Sequence, residues 1–141
     1  MTKKQIFTKS LSANDTGESG GHQAGILVPK GDTDFRAFLP KVNNAEKNPR
    51  AWIECTDPDG RTWDFCFIYY NNKHHDPGGT RDEYRITHMT KFLRSFGATT
   101  GDEVVISGEP GSASYSIAIQ KPAAAVNRTA RIVLRGWRRV H

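Results

Sequence analysis

The strongest hydrophobic pattern in the chain is a period-two alternation on both sides of a short polar turn. Residues 51–56 and 61–70 flank Asp57-Pro58-Asp59-Gly60, where proline pre-sets one backbone angle and glycine can take a positive φ. Large apolar residues recur at alternate positions, as one half-buried sheet face requires: Trp52, Trp63, Phe65, Phe67 and Tyr69. The pattern predicts a β-hairpin.

Weaker patterns predict the remaining elements. Apolar runs stopped by proline, glycine or polar residues predict five more strands, at 4–10, 24–29, 103–107, 114–120 and 131–134. Phe35, Phe38 and Leu39 share one face of a predicted helix at 32–39, and Met89, Phe92, Leu93 and Phe96 share one face of a helix that Thr87 would cap. Seven strands and two helices predict a single mainly β (α+β) domain over residues 1–141, built as a small, partly open barrel.

Two long polar segments interrupt these elements, at residues 11–23 and 71–86. The first is rich in glycine and small polar residues, and the second ends in the charged run Arg81-Asp82-Glu83-Tyr84-Arg85. Arginine can pair with guanine O6 and N7, and glutamate can accept from cytosine N4, so this run has the chemistry of a base-reading strip. A solvated charged loop is the alternative interpretation.

Charge is distributed unevenly along the chain. The net charge is +5, but residues 121–141 contain six basic residues and no acidic one, which leaves 14 basic and 15 acidic residues in 1–120. A basic segment on a nearly neutral body favours a polyanionic partner such as nucleic acid. A tail that only improves solubility remains the alternative.

Cysteine spacing argues against a disulfide and against a metal site. A turn centred on Pro58-Asp59 would place Cys55 opposite Thr62 and Cys66 opposite Ala51, so both thiols are expected to be free, in a reducing bacterial cytoplasm. Adjacent His74 and His75 suit no common chelate, and no metal or other cofactor is predicted. No apolar run is long enough to span a membrane.

Motifs of catalysis are missing from the sequence. There is no Asp/Glu-x-Lys run of the common metal-dependent nucleases, no nucleophile elbow and no phosphate-binding loop. Sequence-specific binding of double-stranded DNA without catalysis is therefore the first hypothesis. A complete small metal-dependent nuclease with an unrecognised site is the second, and a sugar- or RNA-binding barrel is the third.

Two segments resemble one known family. Residues 11–17, the run Gly20-Gly21-His22-Gln23-Ala24-Gly25-Ile26, and Pro29 are similar to the start of the N-terminal effector-binding domain of EcoRII-type restriction endonucleases. Residues 69–71, 80–81, 83 and 85–87 resemble the second DNA-binding arm of that domain. The resemblance implies a seven-stranded, B3-like pseudobarrel with two arms, at residues 11–23 and 71–86, that grip the major groove.

The same resemblance assigns expected roles to individual residues. His22 matches a base-contacting histidine, Lys73 takes the position of an arginine important for binding, and Arg81, Glu83 and Arg85 match a base-reading triplet. Further DNA contacts are expected from the two arms and from one aromatic residue near the C-terminus: Asn14, Asp15, Thr16, Gln23, Asn72, Asp82, Tyr84 and Trp137. The short side chains of residues 14–16 could equally hold a turn together.

The family also implies a recognition sequence and a partner. Its members read a short, nearly palindromic site of the type CCWGG, each arm taking about half. The chain is therefore expected to be the recognition module of a larger enzyme, with a catalytic nuclease domain as its partner.

Overall fold

The computed structural model of the chain describes residues 4–17, 25–122 and 136–140. Eight strands occur in this part of the chain: β1 Gln5–Ser10, β2 Ile26–Val28, β3 Arg50–Thr56, β4 Thr62–Tyr70, β5 Glu83–Thr87, β6 Glu103–Gly108, β7 Ser114–Gln120 and β8 Arg138–Val140. Three short α-helices accompany them: α1 Ala13–Thr16, α2 Thr33–Phe38 and α3 Thr90–Ser95. A single 3₁₀ turn covers Asn72–His74.

All eight strands belong to one sheet, in the order β2-β5-β4-β3-β7-β6-β1-β8. Neighbours are antiparallel except for β3 and β7, which run parallel. The sheet curls around a single core, with β2 and β8 at the two ends of the strand order. The prediction of a mainly β, partly open barrel is confirmed, with eight described strands instead of seven.

Aromatic side chains fill much of the core. The rings of Phe7, Phe35 and Phe38 pack against one another, with the Phe7 centroid 5.0 Å from that of Phe35 and 4.9 Å from that of Phe38. Phe65 and Phe92 are also fully buried and meet edge to face at 5.7 Å. Burying each such ring stabilises the fold by roughly 1.5–3 kcal/mol before the cost of ordering it, so helices α2 and α3 are held mainly by this packing.

The predicted hairpin exists, but its register differs by one residue. The turn closes between Asp57 and Arg61, whose N–H and carbonyl groups are 2.8 Å apart, and leaves a three-residue loop. Cys55 therefore pairs with Trp63 and Cys66 with Trp52. Because a one-residue slip moves a side chain to the other face, Trp52 lies opposite the core face and is 54% exposed. Both cysteines are buried free thiols, as predicted.

The segment around Thr87 also differs from the prediction. Thr87 ends strand β5 and does not cap a helix, and α3 begins three residues later, at Thr90. Strand β5 was missed because its outward positions are charged. The helix at 32–39 is confirmed as α2. The predicted strand at 131–134 lies outside the described residues, while β8 follows it closely.

Within the described ranges, no helix has the length and hydrophobicity needed to cross a membrane. No group of three histidine, cysteine or acidic side chains in the same ranges is arranged to hold a metal ion.

Candidate nucleic-acid interface

The segment expected to form the second arm, residues 71–86, begins at a buried asparagine that fixes its base. Asn71 follows β4, is 1% exposed, and its Oδ1 accepts from the Asn48 N–H at 2.7 Å. In return the Asn71 N–H donates to Asn48 Oδ1 at 3.1 Å, and the Asn71 Nδ2 donates to the Glu46 carbonyl at 2.8 Å. Buried side-chain hydrogen bonds of this kind tie the arm to the α2–β3 connection.

The tip of the arm is a compact turn. The Arg81 N–H donates to Asn72 Oδ1 at 2.8 Å, and the Lys73 N–H donates to the Arg81 carbonyl at 3.1 Å. Gly79 packs against the Asn72 backbone so closely that a Cβ atom there would lie 2.2 Å from the Asn72 carbonyl oxygen. The polar loop therefore has a defined shape, in which Asn72 orients the start of the charged strip and Lys73 is exposed.

Arg81, Glu83 and Arg85 form a connected strip on the outward face. Arg81 Nε and Nη2 each lie 3.0 Å from Glu83 Oε1, and Arg85 Nε and Nη2 each lie 2.9 Å from Glu83 Oε2. A carboxylate has about four acceptor positions, so the two guanidinium groups use all of them. Burial alone would raise the pKa of Glu83, but the bonds from Arg81 and Arg85 hold that pKa below its usual value.

Arg81 is also held from one side by an aromatic ring. Its guanidinium carbon lies 3.6 Å from the centroid of the Tyr70 ring, within the range of a strong cation–π contact. The side chain is nevertheless 36% exposed. Sequence reasoning did not include Tyr70 in the site. Tyr70 pairs with Glu83 across β4 and β5 and so shares its face, but this pairing could not be predicted because the sequence pattern missed β5.

Tyr84 lies on the opposite face, in the core. Strand β5 alternates between partly exposed and buried positions, and Tyr84 is only 6% exposed. Its ring stacks on Tyr69 with centroids 4.3 Å apart. The expectation that residues 81–85 form one continuous polar strip is therefore wrong at Tyr84, because the pleat of a strand turns neighbouring side chains to opposite faces.

Asp82 is used inside the protein. Its carboxylate accepts from the Tyr69 hydroxyl and from Lys30, and His74 Nε2 lies 3.4 Å away. The Lys30 and Tyr69 hydrogen bonds lower the pKa of Asp82 well below its usual range, so it stays charged. Asp82 is 19% exposed and connects the arm to the β2–α2 connection.

The described start of the first arm is a capped helical turn. The Ser12 hydroxyl accepts from the Asp15 N–H at 3.1 Å, and Asp15 Oδ2 accepts from the Ser12 N–H at 3.0 Å, which is a capping box. Asp15 is buried and pairs with Lys9 at 2.6 Å. Thr16 Oγ1 donates to the Ala13 carbonyl, and the Asn14 carbonyl accepts from Gly17. These contacts fit a turn that is held partly by its own side chains, and the expected DNA contacts of Asn14, Asp15 and Thr16 remain a prediction. His22 and Gln23 lie outside the described residues.

The β2–β5 pair joins the two parts of the chain in which the arms are expected. Leu27 pairs with Arg85, and Arg85 Nη1 donates to the Gly25 carbonyl at 2.9 Å. A cleft of about 320 Å³ opens beside this junction, and Asp15, Arg81 and His88 are among the residues that line it. The structure therefore brings the start of the first arm and the charged strip of the second to one side of the sheet.

Trp137 does not lie on this side. It is 7% exposed, its ring stacks on Phe35 with centroids 4.2 Å apart, and its Nε1 donates to the Leu27 carbonyl at 3.3 Å. Its expected contact with DNA is not supported by this buried position. Of the basic C-terminal residues, Arg138 pairs with Glu103 at 2.9 Å and Arg139 is exposed, whereas Arg128, Arg131 and Arg135 lie outside the described residues.

Comparisons with known proteins agree with this architecture. A family model described as "Restriction endonuclease EcoRII, N-terminal" matches residues 1–117. The type II restriction enzyme EcoRII of Escherichia coli is 36% identical over an alignment of 108 positions, which covers 67% of this chain and 24% of that enzyme. A solved Arabidopsis FUS3–DNA complex superposes with a TM-score of 0.61 at 22% identity, covering 84% of this chain and 99% of that one, so it shares the fold.

Proposed function

Because the chain belongs to the family of EcoRII N-terminal domains, we propose that it recognises a short sequence in double-stranded DNA on behalf of a restriction endonuclease. The chain spans about a quarter, 24%, of the EcoRII enzyme that it matches. We assign cleavage to a separate catalytic nuclease domain, and we propose that the chain itself binds without catalysis and without a cofactor.

The observation that carries this proposal is the way Arg81 is held. Glu83 fixes one edge of its guanidinium and Tyr70 supports one face of it. The side chain is partly exposed, so its remaining N–H groups can donate to an acceptor on another molecule. An arginine fixed before binding loses little conformational entropy when it forms a bidentate contact with guanine O6 and N7. A surface salt bridge stabilises a fold by only ~0–1 kcal/mol. Base reading therefore explains these fixed, partly exposed donors better than a contribution to stability does.

The two arms would divide the site. In the second arm, Arg81 and Arg85 face the major groove with Glu83 between them, and Lys73 and Asn72 contact the adjacent backbone. In the first arm, His22 and Gln23 reach base edges, and the turn at residues 14–16 supports them. The family resemblance favours a CCWGG-like sequence, in which each half supplies guanines for arginine.

Selection of binding sites from a random duplex pool tests this proposal. We expect a CCWGG-like pentamer to be enriched by the chain and to be lost with Arg81→Ala. Arg61→Ala is a matched control, because Arg61 also contacts a carboxylate, that of Asp57, and an aromatic ring, that of Trp63. It lies beyond the far end of β4, about 30 Å along the strand from Tyr70 at ~3.3 Å per residue. Recovery of unrelated sequences by the wild-type chain would contradict the proposal.

A further inference from the structure

We infer that Trp52, with Arg50 and His88, forms a second contact with duplex DNA, on the sugar-phosphate backbone beside the base pairs that the arms read. The inference rests on the proposed function, since it extends the same interface. Trp52 is the feature that prompts it, because the sequence pattern assigned this indole to a half-buried face and the structure leaves it 54% exposed.

The strand register puts these residues on the face that carries the charged strip. Arg50 pairs with Ile68, and Ile68 pairs with Arg85, so the three form one row across β3, β4 and β5. Trp52, Cys66 and Thr87 form the next row on the same face. Two strand spacings of ~4.8 Å separate Trp52 from Thr87. Ile68 and Cys66 are the middle members of these two rows, on β4, and both are buried.

His88 makes the surface continuous with the proposed reading site. Its ring centroid lies 5.0 Å from that of Trp52, and His88 lines the same cleft as Arg81. The His88 backbone has a positive φ of 70°, which is uncommon for a residue with a side chain. Its Nδ1 lies 2.9 Å from Thr87 Oγ1. The imidazole therefore follows the end of β5, where it contacts Trp52 and lines the cleft that Arg81 also lines.

The chemistry of the surface suits a DNA backbone. Indole presents a flat apolar ring that can cover a deoxyribose, and its N–H can donate to a phosphate oxygen. Exposed Arg50 supplies positive charge in the adjacent row. In the row beyond Trp52, Glu54 pairs with Asp64, and both are exposed. This acidic pair would repel phosphates, so it sets the limit of the contact.

Exposure of Trp52 is unusual in this chain. The other exposed large apolar residues in the described ranges are Ile6 and Val140, at 38% and 42%. Those two pair with each other across β1 and β8, at the far end of the strand order. Trp52 differs from both, because the row next to it contains exposed Arg50 together with Arg85 of the charged strip. Among the described strands, no such row lies beside Ile6 or Val140. Ile6→Ala therefore serves as the matched control for removal of an exposed apolar side chain.

Binding to flanked and trimmed duplexes tests the inference. One probe carries a CCWGG pentamer with about ten base pairs, one helical turn, on each side, and the other ends close to the pentamer. We expect Trp52→Ala to weaken binding to the flanked probe several-fold and to leave the trimmed probe and the ratio of specific to scrambled affinity unchanged. Arg50→Ala should reduce the salt slope on the flanked probe by about one unit. Ile6→Ala should change neither quantity.

Quenching of tryptophan fluorescence by acrylamide gives an independent reading. The difference between the wild type and Trp52→Phe isolates the exposed indole from Trp63 and Trp137. We expect the flanked probe to reduce acrylamide quenching of the Trp52 fluorescence, and we expect the trimmed probe to leave this quenching unchanged. Equal protection by both probes, or none by either while Arg81→Ala still abolishes discrimination, would overturn the inference and leave the proposed function standing. Failure of the wild type to prefer CCWGG on any probe would instead contradict the proposed function.

Discussion

Replacing Glu83 with glutamine should reduce discrimination between DNA sequences while leaving the protein folded. Glutamine keeps the shape of the side chain but offers one acceptor oxygen and one NH₂ donor. The NH₂ group would face one guanidinium and could not accept from it, so either Arg81 or Arg85 would lose its support. One misplaced bidentate contact costs about 1–3 kcal/mol of discrimination against the wrong base, which is about a 5- to 150-fold change in the affinity ratio.

The stability cost of the same change should be much smaller. Glu83 is 28% exposed and Arg81 36% exposed, so solvent screens their attraction. Ion pairs of this kind contribute about 0.2–1 kcal/mol to the free energy of unfolding. Thermal unfolding should therefore show a folded variant, with a midpoint close to that of the wild type.

Equilibrium titration of a CCWGG duplex and a scrambled duplex, at one fixed salt concentration, measures the ratio of the two affinities. Glu83→Asp is a useful companion, because it keeps the charge but cannot span both guanidinium groups. If Glu83→Gln bound both duplexes with the wild-type ratio, Glu83 would not be orienting a base-reading arginine.

Other substitutions separate the core, the hairpin turn and the charged terminus. Trp137→Ala should lower the free energy of unfolding by about 3–5 kcal/mol. At a temperature where the variant is folded, its discrimination between DNA sequences should equal that of the wild type. Loss of discrimination in the folded variant would show that Trp137 contributes to the DNA interface. Burial alone would raise the pKa of Asp57, but hydrogen bonds from Trp63 and from the backbone of Arg61 and Asp59 lower it. Stability from Asp57 is therefore fully present above its unfolded pKa of about 3.9 and is lost as pH falls through its lower folded pKa. Asp57→Asn should melt below the wild type at pH 7, with the difference shrinking in acid, and a difference independent of pH would contradict this. Arg139→Ala should weaken binding to all duplexes alike and reduce the salt slope by about one unit, whereas an unchanged slope would remove Arg139 from the DNA contact.

Alternation and turn chemistry in the sequence were sufficient to predict the hairpin and most of the strands. These signals failed where the strand register depended on the backbone conformation of a single turn. Closure of the turn between Asp57 and Arg61 left three residues in the loop, and this moved Trp52 to the outer face. Strand β5 was missed because Glu83 and Arg85 face outward, so only Tyr84 and Ile86 carry the apolar signal.

The candidate site was predictable in its residue types but not in its connections. Arginine and glutamate at 81, 83 and 85 indicated base reading, and their alternation could have shown that Tyr84 turns away. That Glu83 has both oxygens occupied depends on side-chain conformations that no spacing encodes. The burial of Trp137 depends on Phe35, a residue far away in the sequence, so local pattern could not distinguish a core indole from an exposed one.

The ladder between β2 and β5, with its extra bond from Arg85 to the Gly25 carbonyl, joins strand β2 directly to the strip that contains Arg85. If the two arms bind DNA as proposed, the points where they join the sheet belong to paired neighbouring strands. Because paired strands cannot move apart, these points keep a fixed separation when the separation of the half-sites changes. We therefore expect the chain to tolerate a changed base pair within a recognised half better than one inserted base pair at the centre, which would both displace and rotate one half of the target out of reach.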